Sequence, residues 1–283
     1  MPETRTSIYR YMDLIADKNN RWDLDLSIII PVKDEEKNIS RLAKEVGMVM
    51  NAAPWSWECL WLDDGSTDNT LSELQQINAK DSRHQFIALS RNYGQSAALY
   101  TGFGCARGEI LVTLDGDGQN DPKDIPVLVR RLLEDNADMV NGFRRKRRDT
   151  FIRKVSSRIG NAFRNWVTNE QIHDVGCSLR VFRHRCVENI PVFKGMHRFL
   201  PTLIRISGCS VMLEMPVNHR PRRYGQTKYG IHNRLWVGLI DTLAVRWMQT
   251  RMVYPEIKTS SLNKEKERTY MFSKPRLRGP QTR

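Results

Sequence analysis

Two aspartates separated by a single glycine, Asp115-Gly116-Asp117, directly follow the apolar run Ile110 to Leu114. Carboxylates at that spacing can face one small volume, and the glycine lets the backbone turn tightly between them. An oxygen-rich set of this kind suits Mg²⁺ or Mn²⁺, which is usually held by one or two carboxylates together with substrate phosphates. Gln119, two residues further on, supplies another oxygen. An isolated Asp-x-Asp is more often a polar turn; the apolar run before it and the glutamine after it favour the metal-binding reading. A second acidic pair, Asp63-Asp64, ends the run Glu58 to Leu62 and leads into Gly65-Ser66. It can open a helix capped by Ser66 or Asp68. It can also recognise a base or ribose, as carboxylates do at strand ends in dinucleotide-binding folds.

The third chemistry is cationic. From Arg144 to Arg158 the chain reads Arg-Arg-Lys-Arg-Arg-Asp-Thr-Phe-Ile-Arg-Lys-Val-Ser-Ser-Arg. Arg153 and Ser157 are four apart and share a face if the segment is helical. Val155, Ile159, Ala162, Phe163 and Trp166 recur at helical spacing, so residues 151–168 read as a basic amphipathic helix. Such a helix either packs on its domain or rests in a membrane interface.

These groups need a scaffold that brings them to one place. Leu26 to Val32, Glu58 to Leu62, Phe86 to Leu89, Ile110 to Leu114 and Asp138 to Asn141 read as short buried strands. Helical patterns at about Glu36–Met50, Ser66–Ile77, Gln95–Arg107 and Ile125–Glu134 separate them, and Ser178–Phe182 and Val211–Val217 add strands beyond the basic segment. That alternation predicts an α/β fold with a largely parallel sheet. In such sheets ligands bind beyond the carboxyl ends of the strands, where both acidic pairs fall. Residues 1–23 read as a polar leader, 24–250 as the domain, and 251–283 as a basic tail whose composition predicts disorder.

The net charge of +13 over 283 residues favours anionic partners such as phosphorylated substrates, lipid headgroups or nucleic acid. The five cysteines, at 59, 105, 177, 186 and 209, are an odd number without close pairing. No zinc spacing is present, and Cys59 and Cys105 read as buried free thiols of a reducing compartment. No secretory signal opens the sequence. The longest apolar stretch, Leu235 to Met248, is interrupted by Asp241 and Arg246 and falls short of the roughly 20 residues a spanning helix needs. The expectation is a cytoplasmic protein held peripherally on the inner face of a membrane.

In order along the chain, Ser27-Ile-Ile-Ile-Pro-Val-Lys-Asp-Glu-Glu36, Leu62-Asp-Asp-Gly-Ser-Thr-Asp-Asn-Thr70, Leu114-Asp-Gly-Asp-Gly-Gln-Asn-Asp-Pro122, Asp174-Val-Gly-Cys-Ser178, Met196-His-Arg-Phe199 and His219-Arg-Pro-Arg-Arg-Tyr-Gly-Gln-Thr-Lys-Tyr229 resemble the inverting family 2 glycosyltransferases of the GT-A fold. The nearest likeness is to transferases acting on dolichyl and undecaprenyl phosphate, over roughly Leu24 to Thr250. The resemblance implies a GT-A, Rossmann-like fold, a nucleotide-sugar donor and a Mg²⁺ or Mn²⁺ cofactor. By position it implies that Pro31, Lys33, Glu35, Asp63, Asp64 and Asp115 contact the nucleotide. It assigns the metal to Asp117, Gln119 and Asp115, and the acceptor phosphate and donor diphosphate to Arg144, Arg153, Ser157, Arg222 and Lys228. Asp115, Asp117, Arg222 and Lys228 then form the catalytic group. The sequence departs from its relatives at Lys33 and Asp34, where an aromatic residue and an asparagine are usual. It also lacks their C-terminal membrane helices, which implies weaker attachment or attachment through an integral-membrane partner.

A phosphate acceptor fits the residue types. A hydroxyl nucleophile needs a general base, and Gly195-Met-His-Arg-Phe199, which corresponds to the acidic pair usual in members of the family that act on sugar hydroxyls, has no carboxylate. A phosphate monoester, with its second pKa near about 6, is already an oxyanion. What it needs is cationic grip. The expected acceptor is therefore a polyprenyl phosphate at an anionic membrane surface. Transfer to a sugar hydroxyl, with His197 as base, is the nearer rival. A non-enzymatic polyanion binder is the remote one, and nucleic acid is not expected, because acidic clusters at strand ends would repel it.

Overall fold

A computed structural model describes residues 22–144, 151–224 and 232–252. The leader up to residue 21, Lys228 and the tail from residue 253 lie outside the described residues. The domain alternates β1 (Leu24–Val32), α1 (Glu36–Asn51), β2 (Trp57–Asp63), α2 (Thr70–Lys80), β3 (His84–Ala88), α3 (Gln95–Cys105), β4 (Gly108–Thr113), α4 (Ile125–Glu134) and β5 (Met139–Arg144). After these come α5 (Phe151–Thr168), β6 (Arg180–Arg183), α6 (Leu200–Ile206), β7 (Met212–Val217) and α7 (His232–Arg251).

The strands form a seven-stranded sheet in the order β3-β2-β1-β4-β6-β5-β7. Pairing is parallel throughout, except that β6 runs antiparallel between β4 and β5. The expected mostly parallel α/β architecture is thus borne out. Strands β1 and β2 read as unbroken apolar runs because helices cover both faces of the sheet. Alternate residues of β1 serve opposite cores. Ile28 and Ile30 pack with Leu42 and Val46 of α1 and Leu128 and Leu132 of α4. Ile29 packs with Leu99 and Phe103 of α3 and Leu203 of α6.

From β1 the chain proceeds outward through β2 and β3, whereas β4 returns to the other side of β1. This reversal opens a crevice at the carboxyl ends of β1 and β4, the usual ligand position in such sheets. The opposite end of the same strands is closed by a buried network. Ser27 Oγ donates to Glu58 Oε1 at 2.6 Å, and the Gly108 amide donates to Ser27 Oγ at 2.8 Å. A Cβ at Gly108 would lie 2.4 Å from the Ser27 nitrogen, and that neighbour is backbone. Gly108→Ala is therefore expected to destabilise the fold by about 1–3 kcal/mol through overpacking. The loss should appear as a lower urea midpoint at unchanged slope.

Three local expectations are corrected. Helix α2 begins at Thr70 with Asn69 in the cap position; Ser66 does not cap it, whereas Asp68, one residue before the cap, still serves its first turn, Oδ1 accepting from the Thr70 amide at 3.0 Å. Both side chains also tie down the neighbouring loop: Ser66 Oγ accepts from the Asp34 amide at 2.9 Å, and Asp68 Oδ2 from the Glu36 amide at 3.2 Å. Cys105 is exposed rather than buried, because it ends α3 on the solvent side. The cysteines are also not all apart: Cys186 and Cys209 meet in space.

Candidate active site

The site is built from loops that follow β1, β2 and β4. At Asp34 the backbone turns through φ 48°, a left-handed conformation that Asn and Asp tolerate better than most residues. The Asp34 carboxylate then accepts from the Thr67 amide at 2.7 Å, tying the β1 loop to the β2 loop. Lys33 Nζ donates to the Gly65 carbonyl at 2.8 Å and strengthens the same tie.

Asp63 and Asp64 are buried, and both are engaged by the protein. Asp63 Oδ1 accepts from the Ser66 amide at 2.9 Å and from its hydroxyl. Asp64 receives the amides of Tyr93 and Gly94 at 2.7 and 2.8 Å, fixing the entry to α3. The first residue of α3, Gln95, donates in turn to Asp115 Oδ1 at 2.9 Å. Asp64 thereby helps to position the Asp115 carboxylate, two strands away.

Asp115 and Asp117 lie together beyond β4. Burial, reinforced by the charge of Asp117, pushes the Asp115 carboxyl up to about 6, although Ser178, Arg180 and Gln95 oppose the shift. A buried carboxyl whose ionisation is resisted in this way, with a second carboxylate beside it, favours a cation at the pair. Asp117 Oδ1 accepts from the Gln119 amide at 3.0 Å, and its Oδ2 accepts from Arg222 Nη2 at 2.9 Å. Arg222 also lies 3.8 Å from Glu35. A guanidinium thus occupies the mouth of the carboxylate pair. Gln119 turns its amide nitrogen toward the Arg220 carbonyl at 3.3 Å, which leaves its side-chain oxygen as the ligand atom on offer. Two carboxylates and an amide oxygen fit a hard divalent ion that keeps positions free for substrate phosphates.

The segment before Arg222 is strapped across this loop. Asn120 and His219 form an antiparallel bridge, and the Arg220 amide donates to the Gln119 carbonyl at 2.7 Å. The Arg220 side chain reaches Asp121 at 2.6 Å and Glu45 on α1.

Arg144, at the end of β5, lies close to this strap, with Nη1 3.5 Å from His219 Nε2. The rest of its fork grips Asp174, Nε to Oδ2 at 2.7 Å and Nη2 to Oδ1 at 2.9 Å. Arg153 and Ser157 both fall on α5, as their spacing predicts, but only the backbone of this part of the helix is described.

Beside Asp115 opens a cavity of about 340 Å³ with Pro31, Gln95, Ser178, Arg180, His197 and Arg198 among its walls. A wider hollow of about 580 Å³ lies at the amino ends of the strands around Trp55, Trp57 and Arg83, away from the acidic loops. The chemistry therefore belongs to the smaller one.

Sequence reasoning missed three contributors to the site as a whole. Arg180, buried on β6, donates to Asn141 Oδ1, the His197 carbonyl and the Val175 carbonyl at 3.0, 2.8 and 2.7 Å. Burial lowers its pKa, with the nearby acidic groups, Asp115 among them, acting against the shift. It is a fixed cation within reach of Asp115's field, and its only signal in the sequence is an arginine inside an apolar strand. Arg198 lies 3.7 Å from Asp241 of α7, so the cavity wall is linked to that helix. Asp174 holds Arg144 in place, an arrangement that couples residues 30 positions apart.

The sequence pattern described as Glycosyl transferase family 2 matches residues 27–190. Dodecaprenyl-phosphate galacturonate synthase of Rhizobium johnstonii is 36% identical over 235 residues, which cover 82% of this chain and 69% of that protein. Among solved structures, glucosyl-3-phosphoglycerate synthase from Mycobacterium tuberculosis, crystallised with Mn²⁺ and UDP-glucose, superposes with a TM-score of 0.60 at 18% identity, covering 83% of this chain and 82% of that one. A second mycobacterial protein superposes with a TM-score of 0.58 at 21% identity, covering 79% and 75% of the two chains. The expected GT-A architecture is therefore borne out. With the family pattern matched over the larger part of its length, the chain belongs to glycosyl transferase family 2.

Proposed function

We propose that this enzyme moves a sugar, with inversion at the anomeric carbon, from a nucleotide-sugar to a polyprenyl phosphate at a membrane surface. The observation that carries the proposal is the pairing of opposite charges at the crevice. Asp115 lines a cavity walled also by Arg180 and Arg198, and Asp117, next to it in the loop, receives Arg222. A donor diphosphate and an acceptor phosphate are both anions, and this arrangement provides separate positive ground for each. The 36% identical relative, named for a dodecaprenyl-phosphate product, supports the acceptor class.

In this reading Asp117, Asp115 and Gln119 hold Mg²⁺ or Mn²⁺. The ion, when bound, neutralises charge on the departing nucleoside diphosphate. Pro31, Lys33 and Glu35 border the nucleotide, and Asp63 and Asp64 shape the floor under its base. Arg222 exchanges Asp117 for phosphate oxygens as the donor enters. Arg144, Arg153, Ser157 and Lys228 gather the acceptor phosphate, and an acceptor oxygen attacks from the face opposite the leaving group.

A lipid acceptor requires the protein to reach a bilayer, and two helices offer the means. Trp166 of α5 is 79% exposed, while Arg164 and Thr168 of the same helix are buried. Trp236 (69% exposed), Ile240, Leu243 and Trp247 of α7 are all exposed at i, i+4, i+7 and i+11. That spacing makes one apolar stripe, and α5 packs against α7, so Trp166 lies on the same helix pair. No helix among the described residues is long and apolar enough to cross a membrane. Aromatic side chains on a basic protein suit the headgroup boundary of an anionic bilayer instead.

The test is incubation of the purified enzyme with a panel of labelled nucleotide-sugars and polyprenyl phosphate, followed by solvent partition of the product. Label that never enters the organic phase refutes the proposal. Combined Trp236→Ser, Ile240→Ser and Trp247→Ser replacements are expected to weaken vesicle binding about tenfold or more, given the area two tryptophans bury. Raised salt should weaken the remainder, because attraction to lipid is screened within about 8 Å at physiological ionic strength. Vesicle flotation reads both. Unchanged binding of the triple variant would place the contact elsewhere.

A further inference from the structure

We infer that Cys186 and Cys209 are a redox-active dithiol, able to close into an intramolecular disulfide by exchange with a small disulfide such as oxidised glutathione. The two cysteines are far apart in sequence and belong to different elements. Cys186 ends a short turn after β6, and Cys209 follows α6. Ser207 Oγ donates to the Cys186 carbonyl at 3.0 Å and pins the two segments side by side. Their sulphurs and a carboxylate oxygen of Asp138 all lie within 4.8 Å of one another.

The pair has the asymmetry such chemistry requires. Cys209 is partly exposed and open to attack on a soluble disulfide, whereas Cys186 is fully buried and can be reached only from inside. A hydrogen bond from Cys186 favours the Cys209 thiolate, and the Arg185 guanidinium adds to this. The same hydrogen bond and burial keep Cys186 protonated until it is needed. This is the division between an attacking and a resolving thiol.

The exchange balances in two steps. Cys209 thiolate attacks one sulphur of oxidised glutathione, forming a mixed disulfide and releasing one glutathione thiolate. Cys186 then gives up its proton and attacks Cys209 Sγ, expelling the second glutathione. Two protein thiols are oxidised, and one glutathione disulfide is reduced to two thiols. A resident metal ion is disfavoured at the same place. Asp138 already accepts from Arg185 Nη2 at 2.8 Å and from the Val211 amide at 3.0 Å, and the guanidinium would compete with any cation.

The link would close the segment between residues 186 and 209, which carries His197 and Arg198 of the cavity wall. Cross-linking removes conformations from the unfolded chain.

The test is peptide mapping of the full chain after equilibration with oxidised glutathione, with the reduced protein as reference. A Cys186–Cys209 bridge is expected, with glutathione retained only at exposed Cys105. The oxidised protein should melt roughly 5 °C or more above the reduced one, and amide exchange should slow across residues 195–209. Cys186→Ser should instead trap glutathione on Cys209, and Cys209→Ser should leave Cys186 unmodified. Wild-type protein that keeps glutathione on Cys209 with Cys186 free, or in which neither cysteine reacts while Cys105 does, would overturn the inference. So would Zn²⁺ retained stoichiometrically through gel filtration by the wild type but not by the serine variants.

Discussion

Asp117→Ala is expected to lower sugar transfer by about a thousandfold, with Mg²⁺ and Mn²⁺ alike. A cation that neutralises a leaving diphosphate contributes several kcal/mol in the transition state, and each 1.4 kcal/mol is about tenfold in rate. The loss cannot be recovered by raising the metal concentration if Asp117 both holds the ion and receives Arg222. That second contact gives a sharper test. Arg222 Nη2 lies 2.9 Å from Asp117 Oδ2, so metal and guanidinium compete for one carboxylate. Arg222→Ala should therefore bind Mn²⁺ more tightly by calorimetry while transferring sugar more slowly. Full activity in excess chelator would remove the metal from the reading. Weaker Mn²⁺ binding by Arg222→Ala would show that the arginine supports the carboxylates instead of opposing the ion.

What could be read from the sequence was local. Strands β1, β2 and β4 announce themselves because burial on both faces makes them continuous apolar runs. Helix α4 spans Ile125–Glu134, as its apolar periodicity predicts. The Asp115-Gly-Asp117 pair was legible because its geometry depends on three consecutive residues and the strand before them. The unread parts depend on closure between distant segments. Arg222, which only the family resemblance grouped with Asp117, meets it across 105 residues, and Arg180 reaches the site only because β6 inserts antiparallel between β4 and β5. Apolar periodicity also misleads where a helix faces outward. Leu235 to Met248 reads as an interrupted apolar stretch too short to span a membrane, yet Trp236, Ile240, Leu243 and Trp247 are exposed, and Asp241 and Thr242 point inward. Amphipathicity tells which residues share a face and leaves open what that face meets.

Free polyprenol should not be glycosylated at a measurable rate, whereas its monophosphate should be. The phosphate oxyanion needs no deprotonation near neutral pH, since its second pKa is about 6. A hydroxyl does need it, and removing a general base typically lowers a rate by about 10²–10⁴-fold. Among the described residues lining the cavity, Asp115 and His197 are the groups that could take such a proton, since burial pushes the Cys177 thiol up to about 11 and keeps it protonated. Asp115 accepts from Gln95 and stands in the metal pair, so His197 is the residue to vary. Its Nδ1 lies 2.9 Å from Ser96 Oγ, and Ser96 Oγ also accepts from the Gly195 amide at 3.0 Å, an arrangement suited to holding the loop in place. His197→Gln is thus expected to keep transfer to polyprenyl phosphate within about tenfold of wild type, without the loss a missing base would cause. A thousandfold fall in kcat at unchanged fold, or turnover of free polyprenol at a comparable rate, would identify His197 as the base. The acceptor would then be a hydroxyl, and the cations around the cavity would serve the donor alone.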